Sequence, residues 1–260
     1  MSKILIVRAC AIGDFILNLP ALRALSQARE NTPFVLVGYP STLDLAREFL
    51  PVEAIHSIES QPWSRLFHER IPGLDFDSAV VWMKDATVAD NLRLSGVPEV
   101  FRADPFPQHG HAATHLLRTL NLSAPPLPDL WRRESDEIII HRTSGSLKKN
   151  WPYFGELVRR LGNEALSLWE NPALSQGAQR ERFLAGLTLP QVAQELRRCR
   201  AYIGNDSGIT HLAAYLGCPT IALFGPTDPR TWGPFGRRSR IIWKTNLEDI
   251  SVDEVLLPLP

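Results

Sequence analysis

Apolar residues along the chain fall into two alternating kinds of run. Lys3-Ile-Leu-Ile-Val-Arg8 is short, continuous and partly β-branched, the pattern of a strand buried on both faces, as in a parallel sheet. Beyond Gly13, residues Phe15, Ile16, Leu19, Leu22 and Leu25 recur at helical spacing. They predict a helix with an apolar face, which Pro20 should kink or mark as its effective first turn. Phe34-Val-Leu-Val37, a helical stretch from Thr42 to Leu50, and Ser78-Ala-Val-Val-Trp82 ahead of a more polar helix repeat the alternation. Strands alternating with helices predict βαβ units.

The pattern breaks between Asn121 and Ser135, where Pro125, Pro126 and Pro128 suit neither a helix interior nor a central strand. This stretch reads as a linker. It divides the chain into a first domain over residues 1–124, a linker over 125–135 and a second domain over 136–260. In the second part, Glu137–Ile140, Ala165–Trp169, Tyr202–Ile203, Thr220–Phe224 and Arg240–Trp243 read as strands, and Pro152–Leu161 and Thr188–Arg198 as helices. Thr188 is a candidate N-cap, with Pro190 in the first turn. Two doubly wound α/β domains follow, and ligands of such sheets bind outside the carboxyl ends of the strands.

Composition adds constraints. The 260 residues hold 28 Lys+Arg against 28 Asp+Glu, which argues against a dedicated nucleic-acid binder. Cys10, Cys199 and Cys218 show no paired or metal-like spacing, so a reducing, cytoplasmic setting is expected. The N-terminal apolar run is far too short for a membrane span. Pro62-Trp-Ser-Arg-Leu-Phe-His68 mixes aromatic and basic residues and reads as a partly packed local helix, with membrane-surface contact as the lesser alternative.

Three clusters could carry chemistry. In Ala201-Tyr-Ile-Gly-Asn-Asp-Ser-Gly-Ile-Thr-His-Leu-Ala-Ala-Tyr-Leu-Gly217 a strand enters a polar turn and then a helix with His211 near its start. The Ser207 and Gly208 amides at such a helix N-terminus attract phosphate, although Asp206 or Ser207 could simply cap the helix. In His141-Arg-Thr-Ser-Gly-Ser-Leu-Lys-Lys-Asn-Trp-Pro152, Thr143, Ser144 and Ser146 supply hydroxyls and Lys148 and Lys149 supply charge suited to a pyrophosphate. The same residues also fit a solvated strand-to-helix loop. Asp14, in Ala11-Ile-Gly-Asp14, is either a helix cap or a general base toward a bound hydroxyl. Cys10 reads as a packed thiol. His111 and His115 would share a helix face but lack a third metal ligand.

Arg8-Ala-Cys-Ala-Ile-Gly-Asp-Phe-Ile-Leu-Asn-Leu-Pro-Ala-Leu22, the Ser-Gly-Ser-Leu-Lys-Lys-Asn-Trp-Pro loop, Asn205-Asp-Ser-Gly-Ile-Thr-His-Leu-Ala-Ala214 and Cys218-Pro-Thr-Ile-Ala-Leu-Phe-Gly-Pro-Thr-Asp-Pro229 together resemble glycosyltransferase family 9, the heptosyltransferases of lipopolysaccharide assembly. The resemblance implies a GT-B fold of two facing Rossmann-like, doubly wound parallel-sheet domains, with the donor held mainly by the second. Asp14 matches the family's proposed general base. Lys149 matches the lysine that contacts the donor phosphates, Thr143 and Ser144 the polar residues of that loop, and Asp206, Ser207, Gly208 and His211 the phosphate-binding motif. Glu170 corresponds loosely to the acidic residue that contacts the donor ribose.

The implied activity is inverting, metal-independent transfer of a sugar from a nucleotide-diphosphate donor, first of all ADP-heptose, to a glycan or lipid-linked hydroxyl. No cofactor is expected, nor is a nucleic-acid partner. A lipid-linked acceptor would bring the enzyme to the inner-membrane surface. A non-catalytic nucleotide-sugar binder and a GT-B-like epimerase are the alternatives. The chain is shorter than family members usually are. Val81-Trp-Met-Lys-Asp-Ala-Thr87 and Arg142-Thr143 also depart from the family pattern, which bears on the acceptor more than on the donor.

Overall fold

The structure is a computed structural model that describes residues 3–169 and 182–257. It forms two compact units, Met1–Pro125 and Pro126–Pro260. In the first, β1 (Ile4–Arg8), β2 (Phe34–Gly38), β3 (Val52–Ser57), β4 (Ser78–Trp82) and β5 (Glu99–Ala103) make a parallel sheet in the order β3-β2-β1-β4-β5. The helices are α1 (Ile12–Ala28), α2 (Pro40–Leu43), α3 (Thr87–Leu94) and α4 (Ala112–Thr119).

Every residue of β1, β2 and β4 is buried, which is why these strands read as unbroken apolar runs. Leu5, Val7, Val35, Val37, Ala79 and Val81 share one face with Trp63, Leu66, Val88 and Leu92. By alternation, Ile4, Ile6, Phe34, Leu36, Val80 and Trp82 bury themselves on the opposite face. Helix α1 packs against α4 and is buried continuously from Phe15 to Leu22. It runs through Pro20 as one helix, so Pro20 does not mark its start. The Thr42–Leu50 helix is instead α2 followed by a 3₁₀ turn over Asp44–Glu48. The aromatic-basic segment is a 3₁₀ turn, Trp63–Phe67, that buries Trp63 and Leu66.

The second unit contains β6 (Ile138–His141), α5 (Phe154–Leu161), β7 (Ala165–Trp169), β8 (Arg182–Ala185), α6 (Leu189–Arg198), β9 (Ala201–Asn205), α7 (Gly208–Leu216), β10 (Thr220–Phe224), α8 (Pro229–Trp232), β11 (Ser239–Trp243) and α9 (Val252–Leu256). Its sheet is also parallel, in the order β11-β10-β9-β6-β7-β8. Both sheets reverse strand order between neighbours that are not consecutive in sequence: β1 and β4 in the first, β6 and β9 in the second. That reversal opens a crevice at the carboxyl ends of the strands, the standard ligand position of such sheets.

Much of the Pro-rich segment is fastened to the second unit. The Leu130, Arg132 and Glu134 amides donate to carbonyls of Leu216, Arg197 and Arg198. Trp131 Nε1 donates to Cys199 O, and Arg238 pairs with Asp129 at 2.7 Å while lying 5.2 Å over the Trp131 ring. Beneath this strap the Cys199 and Cys218 Sγ atoms lie 3.5 Å apart as free thiols. Burial pushes the Cys218 thiol well above its ordinary pKa, so it stays protonated. Among the described residues no helix is long and apolar enough to cross a membrane.

Gly217 caps α7 in the left-handed region at φ +89°. A Cβ there would come 3.0 Å from Asp129 Oδ1 and 3.2 Å from Arg238 Nη1. Gly217→Ala should therefore cost about 1–2 kcal/mol through backbone strain. Urea unfolding would show this as a lower midpoint, and an unchanged midpoint would contradict it.

Candidate functional site

The carboxyl ends of β6 and β9 lie side by side, with His141 paired in register to Gly204. Two loops therefore leave the second sheet together: residues 142–153, and the Asp206-Ser207 turn into α7. Buried Asn205 joins them. Its Oδ1 accepts from Trp151 N at 2.9 Å, and its Nδ2 donates to Arg142 O at 2.7 Å, so one amide fastens both ends of the loop. Trp151 anchors the far end, with its indole N–H on Ile250 O and its ring edge-on to Phe154. Ser144 Oγ lies 2.7 Å from both Ser146 O and Asn150 Oδ1, with its one hydrogen to give to either.

Between the fixed ends the loop presents Lys149, whose Nζ lies 2.6 Å from Asp206 Oδ2. The Asp206 side chain is 8% exposed and that of Lys149 33%. The carboxylate is thus sequestered while part of the ammonium stays open to a ligand. His211 Nε2 lies 4.0 Å from the other Asp206 oxygen. Ser207 caps α7, its Oγ accepting from Thr210 N at 3.4 Å. The Gly208 and Ile209 amides in the first turn have no acceptor within the helix and carry its positive end. The capping and anion-binding readings of this turn are therefore compatible. The structure brings together Thr143, Ser144, Lys149, Asp206, Ser207, Gly208 and His211. Glu170 lies outside the described residues.

The first unit has its own crevice, at the carboxyl ends of β1 and β4. A cavity of about 220 Å³ is lined by Arg8, Cys10, Asp14, Trp82, Lys84 and Phe106, among others. Asp14 sits in the first turn of α1, half-buried, at the cavity wall. Arg8 is buried; its Nη1 donates to Trp82 O at 3.2 Å, and its Nε has no hydrogen-bond partner among the described residues. Burial pushes the Cys10 thiol up to about 12 despite the nearby Arg8 charge. Cys10 is therefore a neutral lining group, as its packed-thiol reading expected. His111 caps α4 through Nδ1, and His115 Nε2 lies 2.8 Å from Asp104 O. Both histidines serve local structure. Among the described residues no cluster of three or more His, Cys, Asp or Glu could hold a metal ion.

The model of glycosyltransferase family 9 (heptosyltransferase) matches residues 129–255, almost the whole second unit. Lipopolysaccharide heptosyltransferase 1 of Pseudomonas aeruginosa is 28% identical over 90% of this chain and 82% of its own length. The family match is thus carried by the second unit, while the likeness to a lipopolysaccharide heptosyltransferase extends over 90% of the chain. Lipopolysaccharide heptosyltransferase 2 of Escherichia coli is 42% identical over a shorter stretch, 24% of this chain and 18% of its own. Two solved structures share the GT-B fold. Escherichia coli heptosyltransferase WaaC with ADP has a TM-score of 0.76 at 19% identity, covering 97% of each chain. Escherichia coli ADP-heptose lipopolysaccharide heptosyltransferase II also scores 0.76 at 19% identity, covering 98% of this chain and 96% of its own.

Asn205 and Arg8 are site residues that the sequence alone did not single out. Asn205 stood in the quoted motif, but its role depends on a partner 63 residues away. Asn205→Ala would strand the Trp151 N–H and the Arg142 carbonyl. At about 1–3 kcal/mol per unsatisfied buried group, the loss from the two groups should be about 2–6 kcal/mol. Chemical denaturation of the full chain checks this, and a loss under about 0.5 kcal/mol would contradict the clamp.

Proposed function

We propose that the protein is an inverting glycosyltransferase that moves a sugar from a nucleotide-diphosphate donor, first of all ADP-heptose, to a hydroxyl of a glycan acceptor. The observation that carries this reading is the convergence of Lys149, the Thr143 and Ser144 hydroxyls and the α7 N-terminus at the strand-order reversal of the second sheet. A diphosphate fits there because it gains a cation and free amides without displacing a buried carboxylate. Asp206 would repel an anion if it acted alone. Paired with Lys149, it instead holds that ammonium beside the helix end. Relatives named for heptosyl transfer, and a fold shared with an ADP-bound heptosyltransferase, favour adenine and heptose over other donors.

The first unit supplies the base. Asp14 takes the proton of the acceptor hydroxyl as that oxygen attacks the anomeric carbon. The bond from that carbon to the diphosphate oxygen breaks, and its electron pair leaves with the nucleotide. Lys149 and the α7 amides stabilise the growing charge, the role a metal fills in other glycosyltransferases. Arg8 and Lys84 give the acceptor cavity positive charge beside Asp14. We place the reaction in the cytoplasm, at the inner-membrane surface when the acceptor is lipid-linked.

Asp14→Asn should lower turnover of ADP-heptose by about 10²–10⁴ while leaving ADP affinity unchanged. Near-normal turnover in that variant would remove the base assignment. Lys149→Ala should weaken ADP binding and slow transfer together, read by calorimetry and steady-state kinetics. Treatment with a chelator should leave the rate intact; a loss restored by added divalent metal would contradict the metal-free step.

A further inference from the structure

β6 ends in His141, an imidazole with no exposed surface. Its two nitrogens face hydroxyls from the two loops of the donor site. Nδ1 lies 3.3 Å from Ser207 Oγ and Nε2 lies 3.0 Å from Thr143 Oγ1. A neutral imidazole offers one N–H and one lone pair, so the nitrogen that holds the proton decides what each hydroxyl can do.

The contacts beneath the site fix where several hydrogens go. Thr210 Oγ1 donates to the Asn205 carbonyl, and the Tyr202 hydroxyl lies 3.0 Å from that same Thr210 oxygen. A Cβ on Gly204 would collide with the Tyr202 hydroxyl, so glycine is what lets this contact form. Ser207 Oγ accepts from the Thr210 amide and has one hydrogen to give. Two acceptors stand at nearly equal distance, Thr210 Oγ1 at 3.2 Å and His141 Nδ1 at 3.3 Å.

If the Ser207 hydrogen goes to Thr210, His141 carries its proton on Nδ1 and Nε2 takes the hydroxyl hydrogen of Thr143. Thr143 then turns only lone pairs outward, which repel an anion. If the Ser207 hydrogen goes to His141, the proton sits on Nε2 and is donated to Thr143 Oγ1. The Thr143 hydroxyl hydrogen is then left for a ligand. Both arrangements carry the same number of protons. A bound diphosphate selects the second, because only that one adds a charge-assisted hydrogen bond.

We propose that His141 is a positioning residue of the donor site, whose Nε2–H tautomer turns the Thr143 hydroxyl hydrogen toward a bound diphosphate. The inference rests on the donor-site reading above. The imidazole does not touch the ligand and exchanges no proton with it.

The test pairs a spectroscopic readout with split substitutions. Long-range proton–nitrogen NMR of ¹⁵N-histidine-labelled protein saturated with ADP should show His141 protonated at Nε2 and bare at Nδ1. His141→Gln can place an amide N–H where Nε2 stands, whereas His141→Asn reaches only the Nδ1 position. Calorimetry should find ADP affinity within about threefold of wild type for His141→Gln, and weakened about tenfold or more for His141→Asn. Thermal unfolding of each variant separates loss of the contact from loss of the fold. A proton on Nδ1 in the ADP complex, or equal ADP affinity for the two variants, would overturn the assignment and leave the donor site standing. Failure of the wild type to bind ADP, UDP or GDP would overturn the donor-site reading, and the role of His141 with it.

Discussion

The polar site of the second unit depends on the parallel pairing of β6 with β9, two strands far apart in the chain. The register from Ile138–Ala201 to His141–Gly204 sets the carboxyl ends of both strands level. From that alignment follow the Asn205 clamp on the 142–151 loop, the contact between Lys149 and Asp206, and the buried hydroxyl network around His141. Side chains alternate between sheet faces, so a slip of one residue would turn His141 and Asn205 to the wrong sides and undo all three. The apolar residues of these strands hold the register: Ile138, Ile140, Ala201 and Ile203 lie in one buried cluster with Trp151, Phe154 and Leu157. Packing energy in the second core is thereby converted into placement of polar groups at its edge.

The two units solve related problems with different chemistry. Each exposes a crevice where its strand order reverses, and each carries a buried polar residue at or just inside the carboxyl end of a strand. In the second unit that residue is neutral Asn205, which freezes a loop so that Lys149 and the helix terminus can hold an anion. In the first it is Arg8, which lies beneath the cavity that holds Asp14. Charge in both places comes from side chains and helix ends already fixed by the fold, so little reorganisation is needed when charge develops during reaction.

Much of this was legible in the sequence, and the remainder was hidden for physical reasons. β1, β2, β4 and β10 could be read because burial on both faces leaves unbroken apolar runs. β3, β5 and β8 escaped because they lie at sheet edges, where polar positions such as Glu53, His56, Glu99, Arg102 and Arg182 break the pattern. Pro20 does not mark the first turn of α1, which continues through it in a fully packed setting although a proline usually limits a helix. The two loops that follow β6 and β9 announced themselves as local motifs with glycine, hydroxyl and lysine residues. His141, Asn205 and the Cys199–Cys218 contact did not, since each acquires its meaning from a partner that only strand pairing or helix packing supplies. The Pro-rich segment marked a change of pattern, but its composition could not reveal that residues 129–135 are hydrogen-bonded onto the second unit.

The role proposed for the second unit is to hold a nucleotide diphosphate where β6 and β9 end. Diffraction from crystals grown with ADP tests it most directly. Diphosphate density is expected between Lys149 Nζ and the Gly208 and Ile209 amides, with the Thr143 hydroxyl in reach. Nucleotide bound elsewhere, with the Lys149–Asp206 pair closed and the α7 terminus solvated, would contradict it.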